Sequence, residues 1–272
     1  MQDNHMTLTL ASITVYPVKS AAGTAVEEWE LDDFGLRYDR RWMLVDDAGE
    51  FLTQRSYPRL ALVRTAIGNG SLYLEAPGMP ALELPLHPHP TVHTSVRVWK
   101  DRCGATWTGE RPARWFSTFL EASCNLVHMA DNTVRPADQT YAPSGTRVSF
   151  ADAFPFLIIS EASLADLNRR LPDPVPMNRF RPNLVISGCE PYAEDSWDRL
   201  ESKGVRLKVV KPCARCVVTT TDQATAQRAK EPLRTLGRYR KVHGKVMFGQ
   251  NAVHETTGRL RVGNPVIATE RS

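Results

Sequence analysis

RWMLVDDAGEFLTQ, residues 41–54, splits into two short runs of strand-forming residues around Asp46-Asp47-Ala48-Gly49. Acidic residues ending in glycine between such runs signal a hairpin, so residues 41–45 and 50–54 are predicted strands. The pattern repeats outward. Residues 60–66 and 71–75 flank Gly68-Asn69-Gly70, and residues 96–99 and 105–108 flank residues 100–104. Upstream, residues 8–15 set Leu8, Leu10, Ser12 and Thr14 against Thr9, Ile13 and Val15, a further strand. Strands at this spacing predict a small barrel or sandwich.

Downstream, Pro112 suits the first turn of a helix whose apolar face is Trp115, Phe116, Phe119 and Leu120. Residues 130–148 are polar and turn-rich, an expected connection between domains. Residues 156–159 read as a buried strand, and Ser160 as the cap of a helix carrying Leu164, Leu167 and Leu171. Beyond Pro172 strands return at 184–187, 205–210, 217–221, 246–250 and 260–262, with a short basic helix within 232–240. Trp197 is expected in the core, and His87-Pro88-His89-Pro90 as a rigid turn. The fold class expected is mainly β with a few helices, α+β.

The chain has 272 residues, 42% hydrophobic and 24% charged, which excludes wholesale disorder and collagen-like structure. That length predicts one large domain or two intimate ones. No uncharged apolar run approaches the ~20 residues of a spanning helix. Asp3 stands where a secretory leader would carry a base, so a cytoplasmic protein without a membrane anchor is expected. Five cysteines, an odd number, argue for reduced thiols. Net charge is +4, yet residues 201–272 hold 15 Lys+Arg against 5 Asp+Glu. An anionic ligand or partner fits that quarter. Its bases are scattered singly without a nucleic-acid-binding motif, so no nucleic acid is expected.

Cys213-Ala214-Arg215-Cys216 is the sharpest local signal. A structural zinc site would need a second pair of ligands, and none is suitably spaced. A redox dithiol would need a helix after the first cysteine, whereas five β-branched residues, Val217 to Thr221, follow the second. Spacing leaves two readings open. One is a soft thiolate at the start of a strand, between Lys211 and Arg215, serving a metal that arrives with its own anionic cofactor. The other is a pair of buried, inert thiols. Lys19 and Ser20 after the first strand suit a phosphate. Arg40 and Arg41, and Arg179 and Arg181 in a segment that Pro182 is expected to keep extended, are further anion-binding candidates or plain ion-pair partners.

Taken in order, YPVKS (16–20), GLRYDRRWMLVD (35–46), FLTQR (51–55), FADAFPFLIISEASLADLN (150–168), NRFRPNLVISGCEPYAEDSW (178–197), CARCVVTTTD (213–222), KEPLRTLGRYR (230–240), FGQN (248–251) and VGNPV (262–266) resemble the MOSC family. The resemblance is to its members with an N-terminal β-barrel domain, among them the amidoxime-reducing components and their bacterial relatives. It implies an N-terminal β-barrel domain at 8–125 packed on a MOSC cofactor-binding β-barrel domain at 126–272. It implies the molybdenum cofactor, a phosphate-bearing molybdopterin, with Cys216 as metal ligand and catalytic centre. Lys19, Ser20, Arg40 and Arg181 match cofactor-holding positions, and Asp152, Ala153 and Phe154 match a loop contacting it. Asn183, Ala214 and Asn251 fall nearby, the last two where related members carry hydroxyl side chains. Cys213 matches a recurrent cysteine that is not the ligand. The implied activity is reduction of small-molecule N-hydroxylated or N-oxide substrates. Its electrons are expected from a separate donor protein of the ferredoxin or b-type cytochrome kind. The rival readings are a cofactor carrier or persulfide-handling MOSC protein without reductase activity, and a binding module without turnover.

Overall fold

The computed structural model describes residues 8–88 and 92–271. These residues are mainly β, with α-helices at Glu110–Leu120, Glu161–Arg170 and Leu233–Tyr239. One sheet closes on itself. Its strands run in the order Phe156–Ser160, Leu184–Ser187, Leu8–Val15, Pro265–Glu270, Trp197–Ser202, Val205–Ala214 and Lys245–His254, and the last pairs back onto the first. Alternation sorts the side chains: Phe156 and Ile158 enter the barrel core with Ile13, Leu184, Leu207 and Ala252. Leu157 and Ile159 turn outward beneath the last two helices, against Leu167, Leu236 and Phe248. Cover on both faces explains why this strand is apolar without a break. Ser160 ends it by accepting from the Ser163 N–H, which starts the next helix.

The N-terminal half is a half-barrel. Strands Trp42–Val45, Asn125–His128, Asp101–Trp107 and His93–Val98 form one antiparallel sheet, and Arg64–Gly68, Ser71–Glu75 and Leu82–Pro85 another. Trp42 and Leu44 pack with Phe116 and Phe119 of the first helix. Met43 and Val45 point the other way, onto Phe34, Val98 and Phe150.

The structure departs from the sequence expectations where side chains bond to nearby backbone. Residues 50–54 are not a strand beyond a bridge from Phe51 to Val45. Thr53 instead accepts from Arg55, Ser56 and Tyr57 and turns the chain out of the sheet. Pro58 opens a 3-10 turn, Pro58–Leu62, where a strand was expected to begin. Residues 217–221 are not a strand either. Val217–Thr220 is a 3-10 turn in which the Thr219 and Thr220 hydroxyls donate to the carbonyls of Cys216 and Val217. Residues 178–183 are not extended, because Met177–Arg179 turns and Arg181 is left-handed. Trp197 is buried, as expected, although the strand it begins, Trp197–Ser202, has no clear signal in the sequence. No helix among the described residues is long and apolar enough to cross a membrane. His89 and Pro90 of the expected rigid turn, and Asp3 of the N-terminal reading, lie outside the described residues.

Candidate functional site

A cleft partly open to solvent lies where barrel and half-barrel meet. Lys19, Ser20, Arg40, Asp152, Ala153, Phe154, Arg181, Asn183, Ala214, Cys216 and Asn251 all line it. They come from distant stretches brought together by the barrel. Lys19 and Ser20 follow its first strand, and the Lys19 N–H bonds to the Trp42 carbonyl of the half-barrel. Ala214 ends the long strand Val205–Ala214, and the Asn251 amide holds that strand's Lys211 and Pro212 carbonyls.

The cations are arranged by a few acceptors, of which Asp152 is exposed and Asp39 and Asn183 are buried. The Lys19 ammonium is 5% exposed and donates to the Phe150 carbonyl at 2.7 Å and to Asp152 Oδ1 at 2.6 Å. Burial pulls its affinity for a proton below the usual lysine range, and Asp152 only partly restores it. Asp152 responds oppositely: desolvation raises it, but the Lys19 charge prevails and holds the carboxyl well below the usual range. Arg40 donates to Asp39 and, at 2.9 Å, to Asn183 Oδ1. Asn183 is itself 1% exposed, and its amide donates to the Thr14 carbonyl, so it positions Arg40.

Arg181 is the odd one out. Its guanidinium lies 4.4 Å from the centre of the Tyr16 ring, the same distance as that of Arg40. Burial takes its pKa down to about 10, with Tyr16 opposing and Arg40 adding to the fall. Among the described residues it donates to no acceptor. A guanidinium brings five donors, so this one is set to receive an anion. The Ser20 hydroxyl likewise has no partner among the described residues. Ser20, Arg40 and Arg181 all sit on left-handed backbone, at φ 70°, 49° and 56°, which a non-glycine residue adopts at a cost.

The cysteine pair stands at the end of a strand, not at the start of one: Cys216 caps the 3-10 turn that follows. Its neighbours are also not those that adjacency suggested. Lys211 lies over the Tyr141 ring at 4.0 Å, and Arg215 donates to Cys213 Sγ at 3.0 Å and to the Phe180 carbonyl at 2.6 Å. The cation at Cys216 is Arg55, 3.4 Å from Sγ. Arg55, with Thr53, Thr219 and Tyr16, escaped the sequence reading as a site residue. Residues 51–55 stood out as a motif, but spacing cannot reveal a contact across 161 positions.

No group of three or more His, Cys, Asp or Glu converges on a point among the described residues. The cleft therefore offers a metal one thiol, and the remaining ligands must arrive with it. Arg181, Lys19 and Ser20 offer an anion donors, and Phe154, Leu157 and Phe180 give the same space apolar walls. A metal carried by an organic group with an anionic tail fits this donor set.

Residues 7–123 match the MOSC N-terminal beta barrel domain, and residues 145–267 the MOSC domain. The chain is 41% identical to mitochondrial amidoxime-reducing component 1 of Mus musculus, over 95% of this chain and 81% of that one. The Homo sapiens protein of the same name is 40% identical, over 95% and 82%. Molybdenum cofactor sulfurase of Solanum lycopersicum is 34% identical over 95% of this chain, which spans 35% of that longer protein.

Proposed function

The chain belongs to the MOSC family, and from that premise we propose that it is a molybdenum-cofactor-dependent reductase of N-hydroxylated compounds. The observation that carries the reading is the acceptorless Arg181 guanidinium in one cleft with Lys19, Ser20, Arg40 and Cys216. When bound, the cofactor supplies a two-electron redox metal with affinity for oxygen. The overall change takes N–OH, two electrons and two protons to N–H and water.

The protein's own part is to hold and enclose. Cys216 would ligate the metal, while Lys19, Ser20, Arg40 and Arg181 would hold the phosphate. Asp152 keeps the Lys19 ammonium in place, and Asn183 does the same for Arg40. Ala153, Phe154 and Ala214 would line the walls around the cofactor. Arg55 sets a hydrogen-bond donor beside the sulfur. A separate electron donor of acidic surface suits the exposed bases Lys241 and Lys245, whose hairpin continues to Val246, the acceptor for the Arg215 N–H at the cleft rim.

Metal analysis of protein from a molybdenum-replete host tests the reading. Wild type should carry molybdenum and Cys216→Ala should lose most of it, whereas equal, near-zero contents would refute the proposal. A persulfide-handling role predicts cyanide-releasable sulfur on Cys216 in its place.

A further inference from the structure

We infer that the groove adjoining the cleft seats a flat aromatic body of the substrate, with the Trp99 indole as its stacking platform. This rests on the reductase reading above. The groove runs between the Trp99–Lys100 loop and residues 136–140, and it shares Asp152 and Ala153 with the cleft. A ligand whose head lies at the sulfur and whose body reaches outward has a continuous path between them.

Trp99 is built for such a role. It is 42% exposed and lines the groove. It is nonetheless fixed: its Nε1–H donates to Asp152 Oδ1 at 3.2 Å, and the Phe51 ring meets it edge-on at 5.0 Å. The Arg55 guanidinium lies 4.3 Å from its ring centre. Both polar partners reach into the cleft, Asp152 to Lys19 and Arg55 to Cys216. Val98 pairs with Asp101, so Trp99 opens a two-residue hairpin loop, and its φ is 57°. Hairpins that need a positive φ only there take glycine. A large aromatic side chain thus stands where the backbone favours glycine. Stacking on such a ring favours a substrate body with an aryl group over one with a small alkyl group.

Benzamidoxime and acetamidoxime share the head group and differ in the body. Their affinities for the oxidised holoenzyme, measured by calorimetry without an electron donor, read the groove without turnover. Wild type should bind benzamidoxime about tenfold more tightly, and Trp99→Ala should bring the ratio toward one. Trp99→Phe, which keeps a ring but loses the bond to Asp152, should retain most of the preference. Equal affinities in wild type, or an undiminished ratio in Trp99→Ala, would overturn the assignment. Turnover with a donor separates the two readings. The expected binding pattern without any reduction leaves the groove and removes the reductase, and reduction of both compounds without the pattern does the reverse.

Discussion

The Arg181 guanidinium finds no hydrogen-bond acceptor among the described residues. It stacks on Tyr16 and stands near Arg40. Half-buried and without an acceptor, it adds no hydrogen bond to the fold. Arg181→Ala should therefore leave the melting temperature of the cofactor-free protein unchanged or higher, by calorimetry. Cofactor retention, measured as molybdenum content after dialysis, should weaken by roughly 1.5–3 kcal/mol, the loss of one charged hydrogen-bond set. A variant that melts lower and keeps its metal would give Arg181 a structural role instead. Lys19, Arg40 and Cys216 were visible in the sequence because each sits in a local pattern with a chemical meaning. Arg55 and Tyr16 were not, since their meaning comes from contacts with residues far along the chain.

At the level of elements, the long strand Lys245–His254 takes a left-handed backbone at Gly249, φ 79°, where a Cβ would lie 2.8 Å from the Ile158 carbonyl oxygen and 2.6 Å from Ile159 Cγ1. Any side chain there must push apart the pairing that closes the barrel. Gly249→Ala should cost at least about 2 kcal/mol by urea denaturation, the left-handed penalty and the collision together. A loss below half of that would mean the strand can yield. The unbroken apolar runs Phe156–Ser160 and Leu184–Ser187 are legible in the amino-acid sequence by itself. Leu8–Val15 is legible as a strand, but a bulge between Leu10 and Ser12 brings Leu10 to the same core as Ile13 and Val15, against the expected alternation. Residues 217–221 mislead because β-branched composition argues for a strand until the Thr219 and Thr220 hydroxyls bond to the chain behind them. Trp197–Ser202 is hard to read because its charged residues hide the inward set, Trp197 and Leu200.

Acid acts on the whole molecule through His128, buried at 4.7 Å from the Trp42 ring centre. Burial, with help from Arg41, takes its pKa from 6.5 to about 3. Between those values the unfolded chain binds a proton that the folded chain refuses. Stability is thus full above about pH 6.5 and is lost as pH falls toward 3, at roughly 1 kcal/mol per pH unit. His254 is shifted the same way by burial. The urea midpoint should fall between pH 6.5 and 5, and fall less in His128→Phe. A flat wild-type midpoint over that range would count against it.

The barrel takes its first stave from residues 8–15 and seats it beside the last, Leu8 opposite Val266 and Thr9 opposite Pro265. During synthesis that opening stave leaves the ribosome early and waits for its final neighbour, about 10–50 s at ordinary elongation rates. Its bare edge is an invitation to stick to other chains throughout that interval. Slow translation or scarce chaperones should therefore lower the yield of this protein more than that of one whose sheets are completed by near neighbours.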